Sequence, residues 1–251
     1  MSIGDGDSRI INGAIVFMDL VKSTIHWRIE PNLMISKLKM VENMVTQTLQ
    51  TLPADYCLIV KTIGDAIMMS FENVSILGIL VACMQIQNKI NEHAWPGIAL
   101  VYRMGICFGQ MTQIDAMIQN HKLKDYLGTT VNIASRMESV VSPYGGIAFC
   151  INPINSSGEN YKLPDIFDLQ PEHANFLIQE LNKFGPVERF KYRNNCQDQS
   201  KLGSTPNWLR QQYQDADCID SDNLKGVGEL NAYQIKSRKW EPSEIPILKL
   251  I

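Results

Sequence analysis

The sequence predicts an α+β fold, with a mostly antiparallel sheet and helices on one face. Three observations predict it. Short apolar runs rich in β-branched residues alternate with longer stretches of helical spacing, in the order strand, helix, hairpin, helix, strand. At the centre, Cys57-Leu58-Ile59-Val60 and Ala66-Ile67-Met68-Met69 flank Gly64-Asp65, a hairpin whose glycine can take the positive φ of a tight turn. With 45% apolar and 20% charged residues over 251 positions, the chain has the balance of a soluble globular protein large enough for a real core. The element order is that of a split βαβ, ferredoxin-like arrangement.

Taken in order, residues 1 to 10 are polar and read as a loose lead-in. Ala14-Ile15-Val16-Phe17-Met18 is a buried strand that ends on Asp19, and Lys22-Ser23-Thr24 follow as a polar turn. A helix starts near Pro31, carries Met34, Leu38, Val41, Val45, Leu49 and Leu52 on one face, and stops at Pro53. The hairpin occupies about 56 to 71. Asn73 is the candidate N-cap of a second helix, apolar all round in its first half and so deeply buried. Ala99 to Cys107 reads as a strand ending at Gly109, whereas 111 to 124 shows no clear period. A helix over Val131 to Val140 stops before Gly145-Gly146, and Ile147 to Ile151 is a strand.

From about 152 to 221 the chain turns polar, with one helical piece over Ala174 to Asn182. That length exceeds a plain loop within a compact domain, so it reads as an insertion with structure of its own. A linker in place of about 155 to 218 is therefore expected to leave the core strands folded. Leu224-Lys225-Gly226-Val227-Gly228 resembles a hairpin turn, 229 to 235 is a last strand, and 237 to 251 an extended tail.

A net charge of -3 gives no electrostatic footprint for nucleic acid. No apolar run is long enough to span a bilayer, and the first residues carry no secretory signal. Six scattered cysteines without a CxxC pair fit a reduced, cytoplasmic protein.

Lys61 and Asp65 interrupt the apolar hairpin. Burying either without a partner costs several kcal/mol, so they face solvent or serve a site. A lone Asp at a hairpin turn is ordinarily just a turn residue. Other segments argue for the site. Phe17-Met18-Asp19-Leu20 with Ser23-Thr24, Lys61-Thr62-Ile63-Gly64-Asp65, Arg103-Met104-Gly105-Ile106, Asp125-Tyr126-Leu127-Gly128 running into Val131-Asn132-Ile133-Ala134-Ser135-Arg136-Met137-Glu138, and Leu224-Lys225-Gly226-Val227-Gly228 together resemble the class III adenylate/guanylate cyclase family. The resemblance covers about 13 to 151 and 222 to 236, the core of a single stand-alone catalytic domain.

The resemblance implies conversion of ATP to 3′,5′-cyclic AMP and pyrophosphate. Asp19, Asp65 and Leu20 would hold two divalent cations, Mg²⁺ or Mn²⁺; oxygen ligands suit these hard ions. The backbone after Asp19, with Thr24, would cradle phosphate, and Lys225 would hold the outer phosphates. Asn132 and Arg136, four apart on a helix and so on one face, would orient the ribose and meet charge on the α-phosphate. Lys61 and Asp125 would read the base. A lysine only donates and an ionised aspartate only accepts, which fits adenine and disfavours guanine; cytosine presents the same polarity as adenine. In this family the site lies between two cyclase domains, so a homodimer with shared sites is implied.

Cys107 stands where many relatives have His, with little expected effect. Relatives that respond directly to bicarbonate typically carry Thr at the position of Asp125. Three rival readings are a pyrimidine cyclase forming cyclic CMP from CTP, a non-catalytic nucleotide-binding module, and a palm-type polymerase. Both aspartates and the arginine argue against the second; the acidic balance and short chain argue against the third.

Overall fold

The computed structural model describes residues 8–52, 57–118, 121–141, 145–152, 169–185, 187–192, 218–219 and 230–235. The elements run β1 (Arg9–Leu20), α1 (Ser23–Ile29), α2 (Pro31–Leu49), β2 (Cys57–Ile63), β3 (Ala66–Glu72), α3 (Ile76–Glu92), β4 (Tyr102–Ile118), β5 (His121–Leu127), α4 (Thr129–Val140), β6 (Gly146–Ile151), α5 (Pro171–Phe184), β7 (Val187–Tyr192), β8 (Cys218–Ile219) and β9 (Leu230–Ile235). The strands form one sheet in the order β2-β3-β1-β4-β6-β9-β7-β8, with β5 paired to β4. Among the described strands only the β4–β6 and β7–β8 pairs are parallel, so the sheet is mostly antiparallel, as the element order predicts.

Strand alternation divides the core in two. Ala14, Val16, Met18 and Leu20 of β1 face a large cluster that includes buried residues of α2, α3 and α5. Ile11, Ile15 and the partly buried Phe17 face a smaller cluster with Ile133, Ala134 and Met137 of α4. Helices thus cover both faces, correcting the expectation of one. Apolar periodicity tells which stripe of a helix is buried and not which side of the sheet receives it.

Local signals explain most boundaries. Gly64 turns the hairpin at φ 65°, as expected. Pro31 opens α2, which buries Met34, Val41, Val45 and Leu49. The cap of α3 is Ser75, whose Oγ accepts from the Gly78 N–H at 3.2 Å. Asn73, the expected cap, instead takes a positive φ of 53° two residues earlier. Glu30 and the buried Lys37 form an ion pair at the α1–α2 junction, and the Ile98 N–H donates to Glu30 Oε1 at 2.8 Å.

Three segments differ from the sequence reading. The polar turn after Asp19 continues as helix α1. The unassigned stretch from 111 onward extends β4 and then returns as β5, in register from Thr112↔Leu127 to Ile118↔His121. In the polar region after 152, α5 buries Leu177, Leu181 and Phe184 in the main core, and β7 pairs along β9 from Val187↔Ile235 to Tyr192↔Leu230. The expected turn at 224 to 228, with Lys225, and the tail 237 to 251 lie outside the described residues.

Candidate active site

Two groups of polar residues form on the sheet. The first gathers around the carboxylates. Asp19, near the end of β1, lies opposite Arg103 of β4. Arg103 Nη2 donates to Asp19 Oδ2 at 3.0 Å and sits 2.6 Å from Glu138 Oε1 on α4. Gly105 lets α4 come this close, because a Cβ there would run into the backbone of Ala134 and Glu138. Burial pushes the Glu138 carboxyl up; Arg103 opposes the shift, the negative charge of Asp19 adds to it, and the result is about 7.

Asp65 occupies the hairpin turn beside Asp19. Burial raises its pKa first, and repulsion from Asp19 adds to that, while a hydrogen bond from Ser23 of α1 lowers it. Its Oδ2 is buried without a hydrogen-bond partner. A pocket of about 170 Å³ opens there between α2 (Leu38, Glu42) and the turn (Thr62, Gly64), and Tyr102 lines it. The Tyr102 hydroxyl is also buried without a partner, and burial followed by the charges of Asp65 and Asp19 raises its pKa. Leu20 is buried at the end of β1, and Thr24 is exposed on α1.

No cluster of three or more His, Cys, Asp or Glu able to hold a metal exists among the described residues. The donor set at Asp19 and Asp65 nevertheless fits hard cations. Two carboxylates that repel each other, one with an unpartnered buried oxygen, suit an ion such as Mg²⁺, which keeps much of its coordination for water and phosphate.

The second group is the pair Lys61 and Asp125. Lys61 follows a bulge in β2: Ile59 pairs with Met69 and Lys61 with Met68, leaving Val60 extra. The bulge puts Lys61 on the α4 face with its cross-strand neighbour Met68. Its Nζ donates to Asp125 Oδ1 at 2.8 Å. The Tyr126 N–H donates to the same oxygen at 2.9 Å, which leaves Asp125 Oδ2 without a hydrogen bond among the described residues. Asn132 is exposed on α4 and Arg136 half-buried, away from the apolar stripe of Ile133, Ala134 and Met137.

Asp19 is thus near Asp65, and Lys61 is bonded to Asp125. Among the described residues no hydrogen bond or ion pair joins Asp19 or Asp65 to Lys61, Asp125 or Asn132. Tyr102, Glu138 and the bonding of Arg103 were missed in the sequence. The Arg103-Met104-Gly105 motif marked the place, but its partners sit 84 and 35 positions away.

A mostly antiparallel sheet, nine-stranded among the described residues, with two aspartates near each other and helix α4 packed on its second face, fits a nucleotidyl cyclase catalytic domain. Residues 8–147 match the adenylate and guanylate cyclase catalytic domain. Since the match spans more than half of the chain, the protein belongs to this family. An adenylate cyclase of Lachancea kluyveri is 31% identical over an alignment of 150 positions that covers 51% of this chain and 8% of that enzyme. The fold is also that of the catalytic core of a rhodopsin-guanylyl cyclase with converted specificity, solved with ATPαS (TM-score 0.56, 17% identity, 92% of this chain and 99% of that one). A non-canonical dimeric guanylyl cyclase domain of the RhoGC fusion protein from Blastocladiella emersonii gives a TM-score of 0.54 at 15% identity, over 93% of this chain and all of the other. No helix among the described residues is long and apolar enough to cross a membrane.

Proposed function

We propose that the protein is an adenylate cyclase that converts ATP to 3′,5′-cyclic AMP and pyrophosphate. The observation that carries this reading is the Lys61–Asp125 pair. Its ion pair uses one oxygen of Asp125 and one lysine proton. Asp125 Oδ2 remains an acceptor for the 6-amino group of adenine, and Lys61 keeps donors for N1. Guanine presents the opposite polarity on that edge.

The remaining roles follow the family resemblance. Asp19 and Asp65, with the Leu20 backbone, would hold two Mg²⁺ or Mn²⁺ ions. Bound there, such ions supply Lewis-acid help to the attack of the ribose 3′-hydroxyl on the α-phosphate. Asn132 orients the ribose, Arg136 meets the charge growing on the α-phosphate, and Thr24 and Lys225 hold phosphates. A homodimer supplies each site from both chains. Among the described residues no hydrogen bond or ion pair joins Asp19 or Asp65 to Lys61 or Asp125, which supports this arrangement. The free thiols of Cys57, Cys83, Cys107 and Cys150 suit a cytoplasmic setting.

The test is incubation of the purified protein with each of the four nucleoside triphosphates and Mn²⁺, read by mass spectrometry. Cyclic AMP as the main product is expected. Cyclic CMP would give the pyrimidine reading, which the same polarity permits, and cyclic GMP would overturn the assignment of the pair.

A further inference from the structure

Beneath Asp125 lies a polar cluster that the proposed chemistry does not use. Tyr126, Glu72 and Gln113 are 1%, 6% and 5% exposed. The Tyr126 hydroxyl donates to Glu72 Oε1 at 2.8 Å. Gln113 Nε2 donates to the same oxygen at 2.8 Å and reaches the Tyr126 hydroxyl at 2.9 Å. Arg9 closes the outer end, with Nη2 on Glu72 Oε2 and Nε on Gln113 Oε1. Both carboxylate oxygens of Glu72 are therefore engaged. A buried polar network satisfied in this way is rigid, whereas a half-satisfied one is costly.

The position of the cluster gives that rigidity a use. Among the described residues β5 pairs with β4 alone, and Tyr126 lies opposite Gln113 at the end of β5 that leads into α4. Tyr126 ties that end to Glu72 of β3, 54 positions earlier in the chain. The anchored residue then uses its own backbone N–H to hold Asp125 Oδ1, the oxygen that also receives Lys61 Nζ. The path from Glu72 to the Tyr126 ring, to its N–H, to Asp125 and to Lys61 is continuous. We infer that Glu72, Gln113 and Tyr126 are positioning residues that hold Asp125 against Lys61 and so set the affinity of the site for its base. This rests on the reading of Lys61 and Asp125 as base contacts.

The test measures KM, kcat and equilibrium binding of a non-cyclisable ATP analogue for Tyr126→Phe, Glu72→Gln and Arg9→Ala, with Lys61→Ala and Asp125→Ala as references. Tyr126→Phe is expected to raise KM and weaken analogue binding about tenfold, with kcat within about twofold, the size of one lost hydrogen bond to a charged group. Glu72→Gln keeps an acceptor for Tyr126 and should stay within about threefold of wild type. Arg9→Ala removes a largely exposed side chain, so it tests the network even if Tyr126→Phe does not fold; a smaller rise in KM is expected. Unchanged KM and analogue binding in Tyr126→Phe, or in Arg9→Ala if Tyr126→Phe cannot be made, would overturn the inference and leave the cluster a purely structural one. If Lys61→Ala and Asp125→Ala also bind the analogue normally, the base-contact reading itself fails. If they weaken binding and the network variants do not, only the positioning role fails.

Discussion

Asp19 and Arg103 face each other across β1 and β4, and one guanidinium nitrogen serves both Asp19 and Glu138 of α4. The contact couples the strand end that carries a proposed metal carboxylate to the helix that carries Asn132 and Arg136. Arg103→Gln leaves Asp19 without its counter-charge and removes the charge that opposes protonation of Glu138. It should cost about 1–3 kcal/mol of stability at neutral pH, with part of the loss recovered by adding Glu138→Gln. Thermal melts of the two variants check this, and a single variant as stable as wild type would show that the contact carries no weight.

Burial and the charge of Asp19 both disfavour the charged form of Asp65. Asp65→Asn removes that conflict and keeps an oxygen for the Ser23 hydroxyl. The expected outcome is an unchanged or higher melting temperature together with a loss of turnover of about a hundredfold or more, as for a group needed in the reaction and not in the fold. Near-normal cyclase rates would remove the metal role.

Glu138 gives a pH dependence of known sign. Its carboxyl titrates near 4.5 when unfolded and at about 7 in the fold. Between those values the folded protein holds a proton that the unfolded chain has released, so stability falls as pH rises through this window. The total is on the order of 3 kcal/mol at 1.36 kcal/mol per pKa unit. Melting curves from pH 5 to 8 should show wild type losing stability relative to Glu138→Gln as pH rises. Parallel curves would show that Glu138 ionises normally.

Much of this arrangement was legible in the sequence where the signal was local. The apolar run ending on Asp19, the Gly64-Asp65 turn and the spacing of Asn132 and Arg136 each lie within a few residues. What escaped depends on partners far along the chain. Helix α1 has one buried side chain, His26, and exposes Ile25, Trp27 and Ile29, so it shows no apolar stripe to read. Strand β5 is written His121-Lys122-Leu123-Lys124-Asp125-Tyr126-Leu127. Its register comes from β4, and its buried contact from Glu72. The bulge that aims Lys61 is invisible without the pairing of β2 and β3.

Polar composition also misdirects between 152 and 221. It suggests a peripheral insertion, yet Leu177, Leu181 and Phe184 of α5 are fully buried. Loop closure alone costs little for a change of this length; the loss would come from packing. Leu181→Ala should cost about 2–5 kcal/mol, and a Gly/Ser linker in place of 155 to 218 should abolish cooperative unfolding. A linker variant that melts like wild type would show that α5 and β7 are dispensable.

The last prediction concerns how many chains make one site. Asp19 and Asp65 form one group, and Lys61 and Asp125 another, with Asn132 and Arg136 on α4; among the described residues no hydrogen bond or ion pair joins Asp65 to the pair. A two-fold dimer would bring the carboxylates of one copy to the base, ribose and phosphate residues of the other, giving two equivalent sites. Asp65→Ala and Arg136→Ala should each be nearly inactive alone. After mixing and subunit exchange, half of the dimers are mixed. In each of these, one site carries both lesions and the other carries none. Random exchange therefore restores up to about a quarter of wild-type activity. Demonstrated exchange without recovery would mean that each chain builds its site alone, and the dimer would then have no part in the chemistry.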